Sequence, residues 1–128
     1  MEHADEVRNI ESDMRAAGWA GHKGLDRELR SWNQLAAEVN TYEATVDDYT
    51  NDLCSRDYLA DFASRASKDL RVQVQVHIAG ADATFRAATI DDAEGLLGKY
   101  YRIELKDGWW WRRKPSSGPL AEWLSRWA

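Results

Sequence analysis

Cysteine occurs once in this chain, at Cys54, so no disulfide can form within it, and the sequence fits a reducing, cytoplasmic compartment. Proline occurs only twice, at Pro115 and Pro119, and no glycine or proline interrupts Leu25 to Ala79. A long first half without breakers favours continuous elements over loops. Apolar runs are short: none approaches the roughly 20 residues needed to span a bilayer, so no membrane segment is expected. The opening residues Met1 to Glu6 are acidic and lack the apolar stretch of a signal peptide. Also absent are the GxSxG nucleophile turn, phosphate-cradling glycine loops and clustered histidines; His3, His22 and His77 lie far apart. No catalytic residue, metal ligand or cofactor follows from these residues, and an enzymatic role is disfavoured.

What is present is an ordinary globular composition, with 44% hydrophobic and 30% charged residues over 128 positions, the size of a single domain covering 1–128. The net charge of −5 is unevenly spread. Residues 1–67 hold fourteen acids against seven bases, whereas 68–128 hold ten bases against eight acids. An acidic half and a locally basic half are implied.

Helical periodicity dominates the first half. Val7, Ile10 and Met14 mark one amphipathic helix, which Gly18 can close, with Trp19 folding back after it. Leu25, Leu29, Trp32, Ala36 and Val39 mark a second, clearer one. The stretch 40–45 is poor helix material and predicts a break, with Thr45 or Asn40 capping a third helix that carries Val46, Tyr49 and Leu53. That helix either runs on through Tyr58, Leu59 and Phe62 or restarts as a fourth at 55–57.

At Leu70 the period changes to two. Val72, Val74, Val76 and Ile78 alternate with Arg71, Gln73, Gln75 and His77, which predicts a half-buried strand. A Gly80-Ala81 turn would fold it into a hairpin with Val76 opposite Phe85. A second hairpin is expected from Lys99–Leu105, a Lys106-Asp107-Gly108 turn and Trp109–Arg113, with Tyr101, Ile103 and Leu105 inward. Pro119 opens a last helix, with Leu120, Trp123, Leu124 and Trp127 at helical spacing. The expected fold is therefore α+β: three or four N-terminal helices on one face of a roughly four-stranded antiparallel sheet of two hairpins, closed by a C-terminal helix.

The candidate site follows from the run of three tryptophans. An Asp107-Gly108 type I′ turn would set Leu105 opposite Trp110 and turn Trp109 and Trp111 outward with Arg102 and Arg113. A three-residue Lys106-Asp107-Gly108 turn instead places Trp109 and Trp111 in the core and Trp110 outside with Arg112, and burying two indoles rather than one favours this second register. Trp110, Arg112, Arg113, Lys114, Tyr100 and Arg102 then form an aromatic and basic surface, the usual makeup of an interface hot spot. A secondary candidate surface is the outer face of the sheet: Arg71, Gln73, Gln75, His77 and Arg86. The acids Asp47, Asp48, Asp52, Asp57 and Asp61 read as a solvated helix face, with Arg56 and Arg65 four residues from Asp52 and Asp61.

These features point to a small non-enzymatic protein-binding module, of the kind that serves as an inhibitor, immunity or anti-defence protein by occluding a partner. One alternative is single-stranded nucleic-acid binding by the Trp/Arg hairpin, which the net charge disfavours. Another is a small-molecule or enzyme pocket between helices and sheet. A homodimer through the second helix or an edge strand is a further arrangement open to it.

Overall fold

The computed structural model describes residues 3–41, 43, 45–99 and 102–127. It consists mainly of α-helix. Among the described residues there are five: α1 (Ala4–Ala16), α2 (Leu25–Glu38), α3 (Val46–Arg65), α4 (Lys68–Ala88) and α5 (Pro119–Trp127). Two three-residue strands, β1 (Thr89–Asp91) and β2 (Arg113–Pro115), pair antiparallel with Ile90 opposite Lys114. Between them the chain makes short 3₁₀ turns at Leu97–Lys99, Ile103–Leu105 and Trp109–Arg112.

The four-stranded sheet is thus not formed, and the α+β expectation is corrected to a helical fold with a two-stranded ribbon. The cause lies in α4. On a helix, Leu70, Val74, Ile78, Ala81 and Phe85 recur at intervals of four, four, three and four, and all five are buried. Val72 and Val76, which a strand would place beside Val74, turn to the opposite side and are 54% and 67% exposed. The alternating valines satisfy both periods, and packing against α2 and α3 selects the helical one. Ser67 caps the helix by accepting from the Leu70 N–H, and Gly80, expected in a turn, sits exposed within it.

Nothing lies within 4 Å of where a Cβ on Gly80 would stand. Gly80→Ala is therefore expected to stabilise the protein by about 0.8 kcal/mol, read as a higher denaturant midpoint. A hairpin with glycine at φ > 0 would instead be destabilised by the same change.

The other helices follow the predicted stripes. Glu6 and Asp5 open α1, and after its end Gly18 takes φ +113° while Trp19 turns back onto the core. The Trp19 indole donates to Asp61 at 2.8 Å and meets the Tyr58 ring edge-on at 5.2 Å. Burial, with the charges of Glu11 and Glu28 adding to it, pushes the Tyr58 phenol up to about 12, so it stays neutral. The break after α2 occurs as expected. Thr45 forms a reciprocal capping box with Asp48, and α3 then runs unbroken through Ser55–Asp57. Asn40, in the break, donates through its amide to the carbonyls of Ala88 and Ser117. Gly118, at φ +94°, passes so close to Asn40 that a Cβ there would overlap its carbonyl. Leu120 and Leu124 dock α5 on the core, whereas Trp123 is 38% exposed. The side chain of Trp127 lies outside the described residues.

Two carboxylates tie elements together and make the fold acid-sensitive. Glu6 accepts from the Ser67 N–H at 2.7 Å and its hydroxyl at 2.8 Å, joining α1 to the α3–α4 connection. The Ser67 hydrogen bonds hold the Glu6 carboxyl below its usual value. Burial raises Asp61, but hydrogen bonds from Arg65 and Trp19 outweigh it and leave that carboxyl low as well. A depressed carboxyl stabilises the fold above its ordinary pKa and loses that contribution as pH falls through the folded-state value. The denaturant midpoint is accordingly expected to stay level down to about pH 5 and to fall below about pH 4. A midpoint that held or rose through that range would contradict these two anchors.

Candidate functional site

The three tryptophans do not lie on a strand. Residues 109–112 coil as a 3₁₀ turn across the outside of α3 and α4, and their indoles point inward. Trp110 and Trp111 are both buried, Trp110 at 6% exposure, and Trp109 is half-buried. The expectation of an outward Trp110 is corrected: among the described residues the two expected strands are 3₁₀ turns at Ile103–Leu105 and Trp109–Arg112, so no hairpin sets that register, and a carboxylate on α3 draws the ring in. Asp57 Oδ1 accepts from the indole N–H of Trp110 at 2.9 Å and of Trp111 at 2.8 Å, while Lys106 reaches Oδ2 at 3.2 Å. Leu105, expected inward, is 70% exposed. Gly108 is needed at the start of the turn, because a Cβ there would run into the Trp110 ring.

A second polar knot joins α2, α3 and α4. Arg56 donates to both oxygens of Asp82, at 2.9 and 3.0 Å, and the Trp32 indole donates to the same carboxylate at 2.9 Å. The Arg56 guanidinium lies 4.3 Å from the Trp110 ring centre, and that of Arg86 lies 3.6 Å from the Trp109 ring centre. Phe85 packs against Trp32 at 4.7 Å and Trp109 at 6.1 Å, so the aromatic layer runs unbroken from the core to the surface.

These contacts frame a large concavity beside the tryptophans. It is an open groove of about 750 Å³ between α3 and α4, floored by Ala60, Ala63 and Ile78, with Ala79 at its exposed lip. Trp109, Trp110 and the Arg56–Asp82 pair close one end, and Arg71, Gln75 and Ser64 stand at the other. Its apolar lining is mostly of small side chains, Ala60, Ala63 and Ala79. Across the tryptophan wall a shallower hollow of about 470 Å³ is bordered by Asp57, Leu105, Lys106 and Asp107.

Of the residues singled out from sequence, the structure gathers Trp110, Arg71, Gln75 and Arg86 around this groove. Arg71 donates to the carbonyls of Ala63 and Ala66, both at 2.9 Å, and so satisfies the end of α3. Gln73 and His77 are exposed and do not line the groove. The basic cluster expected on the second hairpin is dispersed. Arg112 bonds the carbonyls of Gly108 and Ile103, and Arg113 bonds Thr89 and the Arg86 carbonyl. Lys114 pairs with Glu94 at 3.6 Å, and Arg102 with Glu104 at 3.2 Å. Tyr100 and Tyr101 lie outside the described residues.

Arg56 and Asp82 carry no local sequence signal, since their pairing depends on how two helices cross. Arg56, four residues from Asp52, pairs with Asp82 and closes the groove. The Arg65–Asp61 pair forms as the spacing implied, at 2.9 Å. Asp57 and Asp61, read as solvated, each bind indole N–H groups.

No helix among the described residues is long and apolar enough to cross a membrane. No family model, curated protein or solved structure matches the chain.

Proposed function

We propose that the protein is a non-enzymatic binding module that engages another protein through the outer face of α4 and the groove beside it, occluding that partner's surface in a reducing, cytoplasmic setting. The observation that carries this reading is the exposure of Val72 and Val76 on a helix whose other large apolar side chains, Leu70, Val74, Ile78 and Phe85, are buried. At 100° per residue, Val72, Val76, Ala79 and Ala83 form one line directly opposite the buried stripe. That line adjoins the groove through Ala79, and the half-buried Trp109 stands at the groove's end. An apolar line, an open groove and an aromatic flanked by arginine together make a surface suited to a protein partner.

A photo-cross-linking residue placed at 76 is expected to give discrete protein adducts in the native host. The same residue at position 30, on the exposed side of α2, is expected to give none of them. Identical adducts from both positions, or none from 76, would remove this reading.

A further inference from the structure

We infer that the α3–α4 groove receives an acidic amphipathic segment of the partner, an inference that rests on the protein-binding reading above. Along α4 the groove runs from Arg71 to Asp82, about 16 Å at the helical rise and enough for three turns of a docked helix. Its floor of Ala60, Ala63 and Ile78, with Ala79 at the exposed lip, offers apolar surface without long side chains, and Trp109 supplies a wall for an anchoring side chain.

Charge decides the polarity of the occupant. Each carboxylate around the groove is already committed inside the molecule: Asp82 to Arg56 and Trp32, Asp57 to Trp110, Trp111 and Lys106, and Asp61 to Trp19 and Arg65. The cations are committed differently. Arg71 donates through Nε and Nη2 to backbone carbonyls alone, which leaves its remaining N–H groups for an incoming carboxylate. Arg86 lies over the neutral Trp109 ring. Lys68 stands exposed one turn before Arg71. Among the described residues none of these three has a carboxylate within ion-pair distance. Asp69 projects on the other side of the Val72 line, away from Arg71.

The groove is therefore neutral along its floor and positive at both ends, on a chain whose net charge is −5. Three cations spread over about 27 Å of helix suit two or three carboxylates on a short segment. They are too few for a nucleic-acid strand, which brings a phosphate with every nucleotide.

The test is selection of a displayed library of random peptides, each about 16 residues long, against the whole chain. The enriched pool is expected to be rich in Asp and Glu, with Leu, Phe or Trp recurring at helical spacing. A synthetic peptide from it should bind in fluorescence anisotropy, weaken with added salt, and lose about tenfold in affinity to Arg71→Gln. Ala79→Glu, at the exposed lip, should weaken it similarly, and keeps the test decisive if Arg71→Gln loosens the end of α3. A neutral or basic pool, no pool, full binding by the Ala79→Glu variant, or an oligothymidylate that outcompetes the peptide would each overturn the inference. Adducts from position 76 alongside such a result would leave the protein-binding reading standing and remove only the acidic occupant.

Discussion

Replacing Asp57 by alanine is expected to cost about 3 kcal/mol or more of folding free energy, among the largest losses for any partly exposed residue in the chain. Trp110 and Trp111 both lose the oxygen that accepts their indole N–H groups, and Lys106 loses its ion pair. A buried donor deprived of its acceptor costs roughly 1–3 kcal/mol, and here two are deprived by one change. The loss concentrates where the chain has least regular structure, since the 3₁₀ turn at 109–112 has no strand ladder to hold it. Asp57→Asn retains one acceptor oxygen but no charge, and should lose about half as much. Denaturant titration followed by tryptophan fluorescence checks both, and the alanine variant should also show red-shifted emission as the indoles meet water. A midpoint within experimental scatter of the wild type would mean that the turn is held by packing alone.

That anchor marks the limit of what could be read from residues in order. Elements whose partners are nearby in sequence were legible: the stripes of α1, α2 and α5, the break at 40–45, and the Thr45 cap are all local properties. The continuity of α3 through Ser55–Asp57 has no local signal for or against it. The site was legible only in part. An aromatic and basic surface was expected around Trp110, and arginines do lie against the tryptophan rings, but they are Arg56 and Arg86 rather than Arg112 and Arg113. Arg56 meets Asp82 across 26 residues and Asp57 meets Trp111 across 54. Pairings over such distances leave no spacing for a sequence reading to find. The tryptophan register has a related cause: it follows from turn chemistry at Lys106-Asp107-Gly108, and turn chemistry has force only where two strands flank the turn.

In α4 the deciding pattern is local, but a second pattern overlies it. Leu70, Val74, Ile78, Ala81 and Phe85 carry a helical stripe, whereas Val72, Val74, Val76 and Ile78 carry a strand alternation over the same stretch. The two readings differ sharply in what a charge would do. On the helix, Val74 is buried and Val76 faces solvent; on the strand they share one face. Val74→Asp is therefore expected to cost about 4 kcal/mol or more, enough to unfold much of the population, because a carboxylate would enter the core without a partner. Val76→Asp should change stability by no more than about 0.5 kcal/mol, as exposed substitutions do. Circular dichroism and denaturant midpoints of the two variants, measured side by side, separate the architectures, and equal losses would restore the hairpin. The same pair bears on function. If the outer face of α4 is where a partner sits, Val76→Asp leaves the fold intact while abolishing the adducts formed from a cross-linker at the neighbouring position 72. Stability and binding then part company on one helix, which is the behaviour expected of a surface that stays exposed among the described residues.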